Sequence, residues 1–417
     1  MPNTDFILAP LSNAMRHVSA AQAERCDTDR IAMSVHSDMV SLEAEWRALD
    51  ESNRNSLFQS FDWCAAWKAT HKSDLRIVRG TIGGRLLFLL PFEVERRAFF
   101  RTARLIGSEH SNLNTGLFGS GIDGMSQGEI AAALTTGLAR ALRRFADVVV
   151  LDRMPAAWRG AAHPLAGLPA NQNPNASFQL PLLGTVEHTL VQINARRRRK
   201  KMRLSERRLA EMGGYDYVIA RESGEALALL ETFFRQKAAR FEAQGLPDAF
   251  RTPETRAFFH ALIDAGASAR EDRRPLEMNA IRLKGAHEGR VVAISGIARK
   301  GDHVVCQFGS IDEFAADSSP GELLYYRMIE RFCADGVTLF DFGIGDQAYK
   351  RSWCTIETPL QDIILPMTAR GYLAAAAHRT AAGAKRAIKA NKTLYAFVQR
   401  QRQRRQATAS ATDTEDG

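Results

Sequence analysis

LEMNAIRLKGAHEGRVVAISGIARKGDHVVCQFGS, residues 276–310, reads as three strands in succession, 276–283, 290–299 and 303–310, separated by Gly-containing turns. Downstream the periodicity changes. A helix is expected over 320–334, closed by Gly336, then a strand over 338–342, a short helix over 347–353 and a last strand over 361–365. Upstream, one long helix over 186–212 should end at Gly213-Gly214, followed by a strand over 215–220 and helices over 222–243 and 253–265. A meander followed by strand–helix–strand gives a mixed sheet with helices packed on it.

The first half reads as a shorter and looser version of the same plan. Helices are expected over 39–49 and from Ser60, an N-cap candidate, through Trp63 and Trp67. Strands over 75–79 and 85–95 turn at Gly83-Gly84; a strand ends near Gly107, and 127–145 is helical before a buried strand at 147–151. The stretch 154–175, rich in Pro, Asn and Gly, reads as a loop approaching a domain boundary. The expected organisation is a flexible tail over 1–30, an N-terminal domain over 31–182, a C-terminal domain over 183–369 and a basic helical tail over 370–417 with a disordered end.

Composition narrows the function. The 417 residues favour two domains, and 45% hydrophobic content supports a sizeable core. No run is long and apolar enough to span a bilayer, and the first residues lack a basic n-region with an apolar h-region, which argues against a secretory signal. Cys26, Cys64, Cys306, Cys333 and Cys354 are scattered and never in a C-x-x-C pair, which argues against a disulfide framework or a zinc site. No metal is expected. The net charge of +9 is concentrated: residues 196–208 hold nine basic residues against one acid, and 370–405 hold ten against none. The rest of the chain is net acidic, so two local basic features replace a diffuse nucleic-acid surface.

Several residues carry candidate chemistry. Ser319 and Pro320 fit the N-cap and N1 positions of the 320–334 helix, whose first-turn amides favour an anion; an ordinary capped helix reads the same way. Asp341 alternates with Phe340 and Phe342, so its side chain opposes theirs. It is a candidate base, or the orienter of one. Gly343 and Gly345 give a tight exit, and Asp346 can cap the short helix that bears Tyr349 and Lys350. Lys350 can neutralise an anion or a developing oxyanion; the blander alternative has Asp341 bonding the loop and Lys350 pairing with Asp346. His110 and Asn112 lie in a polar loop that either faces the inter-domain cleft and reads an acceptor or is a solvated turn. Cys306 reads as packing. Basic residues at 196–208 cover every helix face, a solvated helix by default, with phosphates, tRNA or anionic lipid as alternatives. The helix after Met367, with Ile388, Leu394, Phe397 and Val398 as its apolar face, either lies on an anionic membrane or packs on the body.

Three stretches, SLFQSFDW at 56–63, SPGELL at 319–324 and FDFGIGDQAYK at 340–350, resemble the GNAT-type acetyltransferases of the cellulose-biosynthesis (CelD-like) group, relatives of the FemAB peptidyl transferases. The resemblance covers about residues 34–367 and implies tandem GNAT-like α/β domains, each a mixed sheet flanked by helices, and acyl transfer without an assigned acceptor. The group lacks the Gly-rich Q/R-x-x-G-x-G/A turn, and so does this chain. By resemblance, the helix start at Ser319, Gly321 and Glu322 receives the diphosphate of an acyl-CoA co-substrate, Gln307 either polarises the thioester or makes a structural hydrogen bond, and Lys350, with Tyr349 beside it, meets substrate. FemAB-type enzymes use a helical arm for aminoacyl-tRNA, which gives 196–208 a second reading. The expectation is an acyl-CoA-dependent N- or O-acyltransferase acting on a sugar, polysaccharide precursor or cell-envelope metabolite. Its catalytic candidates are Asp341, Lys350 and Gln307, and its substrate-binding candidates His110, Asn112 and Tyr349. The alternatives are an aminoacyl-tRNA-dependent transferase and a non-catalytic scaffold. A cytoplasmic location is expected, with membrane contact through the C-terminal basic helix left open.

Overall fold

A computed structural model of the chain describes residues 31–97, 99–267 and 269–390. The tail expected over 1–30, the chain's last residues, Leu394, Phe397 and Val398 lie outside these ranges.

The first half contains β1 (Ala32–His36), α1 (Glu43–Glu51), α2 (Phe61–Thr70), β2 (Asp74–Ile82), β3 (Arg85–Arg97), β4 (Phe100–Leu105), β5 (Leu117–Phe118), α3 (Gln127–Leu142), β6 (Val148–Pro155), the small pair β7 (Ala157–Trp158) and β8 (Ala161–Ala162), and β9 (Ala170–Pro181). The second half contains α4 (Val186–Val191), α5 (Ala195–Glu211), β10 (Tyr215–Ile219), α6 (Ser223–Ala243), α7 (Pro253–Ala267), β11 (Glu277–Leu283), β12 (Val291–Lys300), β13 (His303–Ile311), α8 (Pro320–Ala334), β14 (Leu339–Ile344), α9 (Ala348–Trp353), β15 (Ile356–Pro366) and α10 (Ala369–Ala390).

Both halves join in one 13-stranded sheet ordered β1-β2-β3-β4-β6-β15-β9-β14-β13-β12-β11-β10, with β5 on β3. Each half runs an antiparallel meander into a parallel pair, β4 with β6 and β13 with β14. The halves then exchange strands. β9 crosses over to pair with β14, and the C-terminal β15 crosses back to pair with β6; β9 and β15 pair with each other at the centre.

The exchange explains one departure from expectation. The last part of the 154–175 loop and the residues after it form β9, a central strand. Its polar stretch pairs with β15, and Pro174 sits where that register shifts, between Gln361↔Gln172 and Pro359↔Ala176. Asn173 donates to the Asp362 carboxylate at 2.8 Å across this irregularity. The helix expected over 186–212 is two, α4 and α5; the Asn194 side chain accepts from Arg197 N at 3.0 Å and starts the second. Ser60 caps α2 as expected, accepting from Trp63 N at 3.3 Å.

Helices cover both faces of the sheet. Ile130, Leu134, Leu138 and Leu142 of α3 pack on the first-half strands, and Leu323, Ile329 and Phe332 of α8 pack with Phe340 and Phe342 on the second. A third core joins the halves: Trp63 of α2 meets Phe258 of α7 edge-on at 4.8 Å, and Trp67 meets it at 5.1 Å. Such aromatic contacts add roughly 1 kcal/mol each beyond area burial. No described helix is long and apolar enough to cross a membrane.

Candidate functional site

β13 and β14 pair only through His303↔Leu339, Val304↔Phe340 and Val305↔Asp341, then part. Beside the parting, β13 bulges: Ile297 of β12 faces Cys306 and Gly296 faces Phe308, leaving Gln307 as the extra residue. Beyond the bulge a cavity of about 330 Å³ opens between the C-terminal end of β13 and the start of α8. Gly309 and Ile311 form its β13 wall, Ser319, Gly321 and Glu322 its helix wall, and Tyr325 and Tyr349 its apolar side, with Lys201 and Arg240 at the rim. The structure thus brings Ser319, Gly321, Glu322 and Tyr349 to one slot.

The start of α8 is unusual. Ser319 adopts a left-handed backbone, φ +52°, and its side chain makes no cap hydrogen bond, so the expected side-chain N-cap does not form. Its carbonyl accepts from Glu322 N at 3.1 Å, and the Ser205 hydroxyl donates to the Ser318 carbonyl at 2.6 Å, fixing the turn on α5. Pro320 occupies N1 as expected. A Cβ on Gly321 would come within 3.1 Å of Ile311 Cγ2, so glycine keeps the slot open here. The Glu322 carboxylate receives Arg198 Nη1 at 2.5 Å and Lys201 Nζ at 3.1 Å.

Asp341 opposes Phe340 and Phe342, as its alternation predicts. It is 6% exposed and accepts from the Ser177 hydroxyl at 2.8 Å, Gly343 N at 2.6 Å and Gln179 Nε2 at 2.7 Å. Burial pushes its carboxyl above the ordinary range while these donors pull it back. With Asn112 it borders a narrow space between the halves, closed on another side by Lys300 and His303. Lys350 is buried, donates to the Ile344 carbonyl at 2.6 Å and is held below its usual range by desolvation. It does not pair with Asp346; Arg351 does. Nor does Asp346 cap α9, whose N-cap residue is Gln347. Tyr325 and Tyr349 stack at 5.6 Å, and burial pushes both phenols up, so both remain protonated donors.

Two expected residues point elsewhere. Gln307 donates to the Pro275 carbonyl at 2.6 Å and does not line the slot. His110 is not in a polar cleft: it packs among Trp67, Phe250, Phe258 and Phe259 between the halves, and burial lowers its pKa to about 4. The loop does reach the other half through Asn112, whose amide donates to the Cys306 carbonyl at 3.1 Å in the notch between β13 and β14. Cys306 is buried, with its thiol raised by burial. Tyr325, Ser177 and Gln179 went unread in the sequence. Tyr325 follows the SPGELL stretch at helical spacing and had a signal; the other two enter through the strand exchange, which leaves none. Among the described residues no group of His, Cys, Asp and Glu is arranged to hold a metal ion.

Residues 196–351, which hold the parted strands and the glycine-bearing helix start, match the acetyltransferase (GNAT) domain family. The fold is similar to that of FemX at TM-score 0.54 with 14% identity, over 76% of this chain and 95% of FemX. It is also similar to the C-terminal domain of a proposed lysylphosphatidylglycerol synthetase from Agrobacterium fabrum, at TM-score 0.50 and 10% identity, covering 82% of this chain and 96% of that one. No curated protein sequence matches the chain.

Proposed function

We propose that the chain is an acyl-CoA-dependent N- or O-acyltransferase acting on a sugar, polysaccharide precursor or cell-envelope metabolite; the CelD-like resemblance supports the acyl transfer and leaves the acceptor unassigned. The observation that carries the donor assignment is the 330 Å³ slot between the parted β13 and the start of α8. In this reading the Gly321 amide, which unlike the Glu322 and Leu323 amides is not bonded to the Ser319 carbonyl, holds the diphosphate, aided by the helix dipole and the cations Lys201 and Arg240. The thioester lies along β13 toward the bulge. Tyr349, protonated and facing the slot, hydrogen-bonds the sulfur and gives its proton to the departing thiolate. Asp341 approaches from the opposite face and takes or orients the acceptor proton, with Asn112 and Lys350 fixing its surroundings. Gln307 supports the bulge and does not touch the thioester. Transfer is direct, from acyl-CoA to acceptor, so Cys306 stays a packing residue.

Release of free thiol from acetyl-CoA and longer acyl-CoAs, with titration of coenzyme A into the full chain, tests this. Absence of coenzyme A binding at millimolar ligand would sink it.

A second reading has one specific support. On α5, Arg196, Lys200, Arg203 and Arg207 are exposed at helical spacing and form an outward basic stripe, which suits an aminoacyl-tRNA donor. Copurifying tRNA released by salt would favour it. For membrane contact through α10, exposed Tyr372 and Leu373 beside Arg370 are the supporting residues; co-sedimentation with anionic vesicles tests it.

A further inference from the structure

α3 and α8 occupy equivalent places, each bridging a parallel strand pair, and they begin with the same pattern: Ser126-Gln127-Gly128-Glu129 and Ser319-Pro320-Gly321-Glu322. At α3 the third helical residue does what such a pattern ordinarily dictates. Glu129 folds back on Ser126, receiving Ser126 N at 2.8 Å while Ser126 Oγ receives Glu129 N at 3.3 Å, a closed capping box. At α8 the box is absent. Glu322 turns to Arg198 and Lys201, and Ser319 lies in the left-handed region.

We infer that Arg198 is a positioning residue that holds Glu322 off the start of α8 and so keeps that start open and free of net negative charge for an anionic donor. The inference rests on the donor reading above. Three observations carry it. Arg198 is 3% exposed, the one residue of the basic run at 196–201 that is fully buried, although burial works against its charge. It has a specific partner on the helix that walls the slot, Glu322 at 2.5 Å. Its guanidinium also lies 4.0 Å over the ring of Trp353, on the short helix α9 that presents Tyr349 to the same slot. One buried cation therefore ties the diphosphate end of the slot to the phenol at its other wall. Without it Glu322 either repels a diphosphate directly or rebuilds the box seen at α3; both remove the anion site.

The test is a cycle of variants in the full chain, titrated with coenzyme A by calorimetry. Wild type binds. Arg198→Met weakens binding by roughly tenfold or more, because Glu322 then keeps only the half-exposed Lys201, which the diphosphate also needs. Arg198→Met with Glu322→Ala returns it to within about threefold of wild type, because the charge that needed holding is gone. If Arg198→Met does not fold, Glu322→Ala alone and with Arg198→Met serve instead: removing the buried pair together is the milder change, and the two should bind alike. Arg198→Met binding as tightly as wild type, or a double variant that stays as weak as Arg198→Met, overturns the inference while leaving the donor reading intact. Wild type that fails to bind coenzyme A overturns both.

Discussion

β4 and β6 run parallel through Thr102↔Val148, Ala103↔Val149 and Arg104↔Val150, as β13 and β14 do through His303↔Leu339, Val304↔Phe340 and Val305↔Asp341. The third pair therefore places Val150 in the first half where the second has Asp341. Past that pair the first half is filled. Arg153, at φ +56°, donates to the Ser108 carbonyl and, at 2.7 Å, to the Ser111 carbonyl, and Asn114 donates to the Asp152 carbonyl at 2.9 Å. The loop at 163–168 covers the start of α3, where Gly167 N donates to Gln127 Oε1 at 3.2 Å and a Cβ on Gly167 would meet the Gln127 carbonyl at 2.7 Å. The second half keeps its parting notched only by Asn112 and its helix start uncapped. One topology has thus been used twice, with the helix start left without a side-chain cap beside a slot of about 330 Å³ on one side, and closed by a capping box beside a cavity of about 690 Å³ on the other.

The comparison is broken most directly at its third pair. Asp341→Asn is expected to lower acyl transfer by roughly 100-fold or more, the usual scale for losing a general base, measured as thiol release under saturating acyl-CoA. Binding of coenzyme A should change little, because Asp341 does not line the donor slot. Full activity in Asp341→Asn would reduce Asp341 to a structural residue, like the valine that stands in its place.

Burial also holds three histidines neutral, His110 and His163 in the first half and His303 in the second, and pH should reveal them. Burial lowers His163 in the first half and His303 in the second to about 4. His163 accepts from Leu165 N on Nδ1 at 3.2 Å and faces the Thr115 carbonyl through Nε2 at 2.9 Å, so the ring carries its hydrogen on Nε2. Below pH 6.5 the unfolded chain protonates these rings while the folded chain does not. Stability is therefore full above that value and falls as pH drops toward 4. For His163 alone the loss is on the order of 3 kcal/mol. Denaturant unfolding from pH 7 to 4.5 checks this, and His163→Gln should flatten part of the slope.

How much of this was legible in the sequence depends on the range of the forces involved. The meander at 276–310, the helix starts at Ser60 and Pro320 and the alternation around Asp341 are local patterns, and the structure keeps them. The exchange of β9 and β15 is not local: the polar run before Phe178 reads as a loop because nothing in it shows that β15, from the far end of the chain, will bond its edge. His110 reads as polar because its aromatic surroundings come from α2 and α7, distant in the chain. The repeated Ser-x-Gly-Glu was in plain sight, but only the strand order shows its two copies to be equivalent, and only the buried Arg198 shows why they behave differently.

A steric pair sharpens the comparison at the second helical position. Gly321→Leu should fill the slot and weaken coenzyme A binding by about tenfold or more, since even the Cβ is tight against Ile311. Gly128→Leu at the equivalent position of α3 should leave binding unchanged, because nothing lies within 4 Å of a Cβ there. Equal loss from both would mean that the donor site is not confined to the second half.

The smallest expected effect separates the two serines. Ser126 caps α3 through its side chain, so Ser126→Ala should cost about 1 kcal/mol of stability. Ser319 makes no such bond and holds a left-handed backbone that glycine adopts without strain. Ser319→Gly should therefore be neutral or stabilising by up to about 1 kcal/mol in thermal unfolding, while Ser126→Gly loses only a few tenths. A clear loss from Ser319→Gly would show that its hydroxyl supports the α8 start after all, and would bring the two helix starts closer together than their backbones suggest.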